Sequence, residues 1–198
     1  MNKTAELVNL WAQFEEENPE AEISRFCQAY LVSQEQKTEK AAFWQSPLPP
    51  DKTSMLTKLI GRIAKLHNLY AIAAFKDHGV GSFDEFLYLN SIASTPNPKK
   101  TDVIIANFNE LSSGLLILDR LRKAKLIEEL SDDLDKRTKR LAMTKEGISI
   151  LVACYEKLND VNEMCFDGLS EEQISLCIQL LQPVEALLAK SWLNNKKK

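Results

Sequence analysis

Residues that build metal sites and disulfide frameworks are scarce in this sequence. Its 198 residues include four cysteines and two histidines, and no two cysteines form a C-x-x-C pair. We therefore predict no zinc site, no disulfide framework and no cofactor. The thiols of Cys27, Cys154, Cys165 and Cys177 are expected to be buried, with a redox-sensing role for Cys27 left open. Because no Ser, His and Asp are spaced as a catalytic triad, an enzyme is not predicted.

Long hydrophobic runs are also absent. The apolar runs AIAAF and LLIL are far shorter than the roughly 20 residues that a transmembrane helix needs. The first 20 residues carry no apolar core behind a basic start, as a secretory signal would. We expect a soluble, cytoplasmic protein with no membrane partner. A hydrophobic content of 44% is enough for one sizeable core, which favours one domain or one domain with an extension.

Positive charge is in slight deficit overall, since the net charge is -3, but it is unevenly distributed. Residues 1–50 hold four Lys or Arg against eight Asp or Glu, whereas residues 95–144 hold ten against eight. The cations gather in PKK, RLRKAK and DKRTKR. This pattern indicates an acidic body with a locally basic face, which is compatible with a nucleic-acid partner.

Hydrophobic periodicity predicts helices over most of the chain. The first 36 residues favour two amphipathic helices split at Asn18-Pro19, followed by a polar linker that ends in SPLPP. Asp51 is predicted to cap a long helix to about Lys76, with Leu56, Leu59, Ile60, Ile63, Leu66, Tyr70 and Ala73 on one face. DHGVGS ends that helix, and FDEFLYLNSIA is the next one. Thr101 is predicted to cap DVIIANF, and a polar turn leads into the helix ELSSGLLILDRLRKAK.

The period then changes to that of extended chain. LIEEL and KRLAM are predicted strands that flank SDDLDKRT, which makes a β-hairpin with a long charged loop. A helix from about Lys145 to Phe166 and a last helix starting at the capping-box pattern SEEQ close the chain. Pro183 is expected to kink the last helix. The stripes Leu151, Cys154, Leu158, Val161, Cys165 and Ile174, Cys177, Ile178, Leu181, Leu188 exceed one small core and predict a subunit contact.

A helix, a turn, a second helix and a hairpin with a basic loop form the plan of a winged helix. The major groove of DNA, about 12 Å wide, admits one α-helix, which would be the second of the two. The hairpin loop, or wing, is then free to reach a phosphate backbone or a minor groove.

Three segments in this order resemble the MarR-type winged helix-turn-helix transcription regulators. They are LDRLRKAKLI (118–127), DKRTKRLAMTKEG (135–147) and GLSEEQ (168–173), and the resemblance covers roughly residues 51–193. It implies a mainly α fold with a small β-hairpin wing, DNA-binding elements at about 80–145 and dimerisation helices at about 51–78 and 145–193. It also implies a homodimer on pseudo-palindromic double-stranded operator DNA, and often a small-molecule effector pocket. Residues 1–50 form an extension outside it, which is expected to pack on the dimer.

Candidate DNA-binding residues follow from the charge pattern and from this resemblance. By position, Ser112 and Ser113 match the polar start of the recognition helix, although both could simply cap it. Asp135 matches the wing carboxylate that orients Arg137 toward DNA. The remaining candidates are Lys99, Lys100, Leu115, Leu116, Arg120, Lys136, Lys139 and Arg140, several of which could instead be solvated surface residues.

Two residues depart from the family pattern on the recognition helix, and one beside it. Leu115 and Leu116 stand where a Thr or Ser and an Arg are usual, and Lys125 replaces a glycine before the first wing strand. Either the leucines face DNA, where they can pack on thymine methyl groups, or a rotated helix buries Leu115. These departures keep open an alternative function, a winged-helix protein-interaction module without operator readout.

Overall fold

The computed structural model describes residues 2–33, 51–131 and 138–196. They form eight α-helices and two strands: α1 (Lys3–Glu17), α2 (Ile23–Ser33), α3 (Lys52–Phe75), α4 (Phe83–Ser94), α5 (Lys100–Ala106), α6 (Leu111–Lys123), β1 (Ile127–Ser131), β2 (Lys139–Met143), α7 (Lys145–Phe166) and α8 (Glu171–Lys196). None of the described helices is long and apolar enough to cross a membrane. The chain divides into two compact units, Met1–Thr57 and Lys58–Lys198.

The first unit contains the two predicted N-terminal helices, which the structure confirms. They meet through aromatic rings: Phe26 is buried, and its ring centroid lies 5.2 Å from that of Trp11 and 5.5 Å from that of Phe14. The chain leaves α1 at Asn18, whose backbone N–H donates to the Phe14 carbonyl, and Pro19 follows. The predicted linker lies outside the described residues.

Helix α3 begins as predicted. The carboxylate of Asp51 accepts hydrogen bonds from the backbone N–H and the hydroxyl of Ser54, which satisfies donors that a helix start leaves open. Its predicted apolar face, however, stays largely exposed, and only Ala71 and Phe75 are buried. The helix ends in a single 3-10 turn followed by Gly79, whose φ of 72° suits glycine.

The core of the second unit lies between α4, α5, α6, the hairpin and α7. Its largest fully buried side chains are Tyr88, Phe75, Leu89, Ile104, Leu121, Leu141 and Cys154. Each hairpin strand is short and places one side chain in this core, Ile127 from β1 and Leu141 from β2. The hairpin therefore packs against the helices as one side of the same core.

The predicted hairpin is confirmed, with Ile127 opposite Met143 and Ser131 opposite Lys139 in an antiparallel ladder. A short third segment joins it, which the sequence did not predict. The backbone N–H of Leu141 donates to the Pro98 carbonyl at 2.9 Å, and Lys99 forms an isolated bridge with Arg140. The chain just before α5 is thus attached to the wing strand β2.

One threonine joins the wing base to α7. Thr144 caps α7 by accepting from the Gly147 N–H at 3.0 Å, while its hydroxyl donates to the Lys125 carbonyl at 2.7 Å. A Cβ on Gly147 would lie 2.0 Å from the Leu126 carbonyl oxygen, so no larger residue fits without a backbone shift.

The last two helices differ in how they are packed. Leu151, Cys154 and Val161 of α7 are buried, so much of that stripe covers the chain's own core, and the subunit contact stays a prediction. Helix α8 starts with the predicted capping box, because Ser170 and Gln173 exchange hydrogen bonds. It continues through Pro183 and has no buried residue.

Candidate nucleic-acid interface

A four-residue turn fixes α5 against α6. The Asn107 side chain donates to the Val103 carbonyl at 2.8 Å and to the Ser91 hydroxyl at 2.9 Å, and Asn109 donates to the Tyr88 hydroxyl at 3.2 Å. Phe108 between them has a φ of 55°, which is uncommon for a bulky residue. These bonds hold the turn in a defined conformation, so the direction of α6 is set by α4 and α5.

Close contact between α5 and α6 depends on a glycine. A Cβ on Gly114 would lie 2.5 Å from a side-chain carbon of Ile104 and 2.7 Å from the Tyr88 hydroxyl. Gly114, Ile117, Leu118 and Leu121 recur at helical spacing, and all four are buried, so they form the core stripe of α6. Because that stripe faces inward, the opposite side of α6 is free to meet a partner.

The outer side of α6 carries the two leucines. Leu115 is 41% exposed and Leu116 is 63% exposed, so the alternative in which a rotated helix buries Leu115 is wrong.

Ser112 and Ser113 are also exposed, but neither caps the helix, because the cap position is Glu110 and has no side-chain capping bond. The prediction for Thr101 is wrong in the same way: Lys99 holds the cap position of α5, and Thr101 lies inside the helix.

Arg120 is anchored by a buried carboxylate. Its Nε donates to Glu85 Oε1 at 2.7 Å, and the other oxygen of Glu85 accepts from the Gly81 N–H at 2.7 Å. Glu85 is 7% exposed, whereas about half of the Arg120 side chain remains accessible. The guanidinium is therefore held at one nitrogen while its outer part faces solvent.

Other cations of the helix pair are also joined to carboxylates. Lys100 Nζ lies 2.7 Å from Glu129 Oε1, and Arg122 Nε lies 3.9 Å from the same oxygen. Asp119 contacts both Lys123 and Arg122, at 2.7 and 2.8 Å. Hydrogen bonds from Lys123 and then Arg122 lower the pKa of the Asp119 carboxyl. Within the described ranges, Lys99 and Lys125 make no such pair.

The wing candidates fall into two groups. Lys139 Nζ lies 3.4 Å from the Ser131 hydroxyl, and Arg140 Nη1 donates to the Asn97 carbonyl at 2.9 Å. Arg140 is thus partly engaged in attaching β2 to the chain before α5. Asp135, Lys136 and Arg137 lie outside the described residues, so their roles stay predictions.

The sequence did not indicate the carboxylates that hold the cations of α5 and α6, which are Glu85, Glu129 and Asp119. Strand alternation could have found Glu129, because it lies two residues after the buried Ile127 and opposite the buried Leu141. Nothing in the local sequence marks Glu85 as the partner of a residue 35 positions away.

The cysteines correct a further prediction. Cys154 is buried, and burial raises the pKa of its thiol to about 11. Cys27, Cys165 and Cys177 are exposed, contrary to the expectation of four buried thiols. Across the part of the chain that the structure describes, no three His, Cys, Asp or Glu residues are grouped to hold a metal ion.

Two packed helices joined by a tight turn, followed by a hairpin that pairs with the chain before them, define a winged helix-turn-helix fold. No protein-family model and no curated protein sequence matches this chain. Solved structures do. A mutant MarR from E. coli complexed with operator DNA has a TM-score of 0.63 and 19% identity, covering 67% of this chain and 95% of that one.

Two further structures have the same architecture. A MarR protein from Peptoclostridium difficile has a TM-score of 0.68 at 19% identity, covering 76% of this chain and 99% of that one. A SlyA-like transcription regulator from Listeria monocytogenes has a TM-score of 0.65 at 21% identity, covering 71% and 93%. The chain therefore has a MarR-like fold, as the sequence resemblance predicted.

Proposed function

We propose that this protein is a dimeric transcription regulator that binds double-stranded DNA in a sequence-specific manner. The observation that carries the proposal is the outward face of α6, which is accessible on the second helix of a helix-turn-helix. In this arrangement α6 enters the major groove, and the wing reaches the minor groove or the backbone. The similarity to a MarR solved with operator DNA supports it.

Base readout would differ from that of a polar recognition helix. Leu115 and Leu116 offer methyl groups rather than hydrogen-bonding groups, so they fit thymine methyl groups on the floor of the groove. Ser112, Ser113 and Lys99 supply exposed polar groups for bases or phosphates. We expect the bound sequence to be rich in A·T steps at the positions that the leucines reach.

The protein-interaction alternative is favoured by one observation. The outer face of α6 combines an exposed apolar side chain, Leu116, with Asp119, and the neighbouring cations are already paired. Such a face could bind an apolar protein surface instead of a groove. If α6 binds a protein in this way, we expect the chain to bind duplex DNA no better than an unrelated acidic protein of the same size.

Selection from a random duplex library, followed by a mobility-shift assay, decides between the two. We expect an enriched motif with two related half-sites and binding that weakens as salt rises. Leu116→Ala should lower affinity for the selected duplex about threefold to twentyfold, with the melting temperature unchanged, because the side chain is mostly exposed. Val152→Ala, at an exposed position of α7, is the matched control. Failure to enrich any motif would contradict DNA readout.

Control by a small-molecule effector is part of the same proposal. An apolar cavity of about 480 Å³ lies between α3, α8 and the α5–α6 turn, lined in part by Ile60, Phe108, Leu188 and Trp192. The buried indole N–H of Trp192 has no acceptor among the described residues. An apolar molecule with one hydrogen-bond acceptor would fit both features, and binding there would act on the turn that orients α6.

A further inference from the structure

Two cations from different helices converge on one carboxylate of the wing. Lys100 lies in the first turn of α5 and Arg122 in the last turn of α6, and both approach the same oxygen of Glu129, at 2.7 and 3.9 Å. The Lys100 and Glu129 side chains are each about 30% exposed, so the pair is partly shielded from water. Partial shielding strengthens the attraction compared with a pair in bulk water.

The geometry of the strand directs Glu129 toward these helices. Glu129 is opposite Leu141 in the hairpin ladder, and cross-strand partners place their side chains on the same side of a sheet. Leu141 is buried against the helices, so Glu129 lies on that side too. Glu128 is opposite Ala142, lies on the other side and makes no ion pair with any described residue.

The carboxylate of Glu129 pairs with the cations that a DNA phosphate would otherwise bind. Lys100 would otherwise be available to a phosphate, but its Nζ is already within ion-pair distance of an anion. Arg122 is held more fully, since Asp119 binds its Nη2 at 2.8 Å and Glu129 approaches its Nε. A phosphate that approaches either residue therefore competes with a carboxylate that is already bound there.

We propose that Glu129 is an internal competitor for DNA phosphate, which withholds Lys100 and Arg122 and thereby lowers both the affinity and the salt dependence of DNA binding. This rests on the proposed function, because it concerns how strongly that interface attracts a duplex. Its consequence is that a loss of negative charge at position 129, and not at position 128, releases cations to the interface.

The test compares Glu129→Gln with the matched control Glu128→Gln, since both remove one charge from the same strand. We expect Glu129→Gln to raise the affinity for the selected duplex roughly threefold to tenfold per subunit. The plot of log affinity against log salt should steepen by about 0.9 for each additional phosphate that the protein neutralises. Glu128→Gln should change neither quantity beyond a small uniform effect of net charge.

A double substitution identifies the cation that is released. Lys100→Met should lower affinity more in the Glu129→Gln chain than in the parent chain, because Lys100 reaches phosphate only once its partner is gone. A single ion pair that stays partly accessible to solvent contributes little to stability, so the melting temperature should be nearly unchanged. Glu129→Thr, which suits a strand, gives a second variant if the glutamine disturbs the hairpin.

Retention on heparin separates this proposal from the proposed function, because heparin is a polyanion without bases. Later elution of Glu129→Gln than of Glu128→Gln would support withheld cations even if no duplex motif were found. Equal retention and equal DNA affinity of the two variants would overturn the proposal. Weaker DNA binding by Glu129→Gln at an unchanged melting temperature would also overturn it, since Glu129 would then orient the cations rather than compete for them.

Discussion

At the scale of single residues, Lys125 places backbone strain at the base of the wing. It has a φ of 60°, in the left-handed region, which glycine adopts far more readily than lysine. Its carbonyl accepts a hydrogen bond from the hydroxyl of Thr144, the residue that caps α7. The carbonyl of the next residue, Leu126, accepts from the same hydroxyl. The backbone is therefore held in this conformation by several bonds although the side chain disfavours it.

Lys125→Gly should stabilise the protein. Relief of the left-handed conformation is worth about 1–2 kcal/mol, and the greater flexibility of glycine in the unfolded chain costs about 0.5–1 kcal/mol. The expected net gain is at most about 1.5 kcal/mol in the free energy of unfolding, measured by denaturant titration. Lys125→Val is the opposite control and should destabilise, because a β-branched residue tolerates this φ poorly. Equal stability of the two variants would show that the backbone relaxes to another conformation.

Helix caps were predictable from the sequence where the capping residue and its hydrogen-bond partner are close neighbours in the chain. Asp51 and Ser170 cap their helices as predicted because each finds its partner three residues on. Thr101 does not, since pairing of the preceding chain with β2 fixes where α5 begins. Glu85 with Arg120 could not be predicted either, because a long-range pair leaves no local signal.

At the scale of elements, the alternating sequence pattern predicted the wing hairpin. It did not predict the third segment that pairs with β2. Each strand has five residues, which is long enough to show the alternation of apolar and polar side chains. The attached segment is limited to Pro98 and Lys99, which is too short to show it. The same limit applies to the outer face of α6. The sequence left open whether Leu115 is buried, and its exposure was settled only by the packing of α5 on Gly114.

The wing pair Asp135 and Arg137 remains a prediction of the family resemblance. Its test depends on whether loss of the Asp135 carboxylate weakens or strengthens DNA binding. Arg137→Ala should weaken DNA binding by about 1–3 kcal/mol per contact and flatten its dependence on salt. Asp135→Ala should weaken binding too, although it removes a negative charge, because the carboxylate orients the guanidinium. Mobility-shift titrations at several salt concentrations measure both effects. Tighter binding of Asp135→Ala at every salt concentration would contradict the orienting role.

At the scale of the whole molecule, two of the described helices carry the largest sets of exposed apolar side chains. Leu56, Leu59, Ile60, Ile63, Leu66, Leu69 and Tyr70 of α3 are exposed, and so are Ile178, Leu180, Leu181, Val184, Leu187, Leu188 and Leu193 of α8. The sequence assigned part of the unsatisfied apolar surface to α8, where it is exposed, and part to α7, whose stripe covers the core. Periodicity shows that a face is apolar, and only the packing shows what covers it.

We expect a second copy of the chain to cover these faces, because exposed apolar surface of this extent is rare on monomers. Leu187 and Leu188 are 69% and 65% exposed, so replacing both by Glu should leave the subunit folded. It should separate the dimer, since an unpaired carboxylate is costly to bury. Sedimentation at micromolar concentration measures the change, with Leu116→Glu on α6 as the control that keeps the dimer. A parent chain that sediments only as a monomer would contradict the subunit contact, and DNA half-site pairing would then need another explanation.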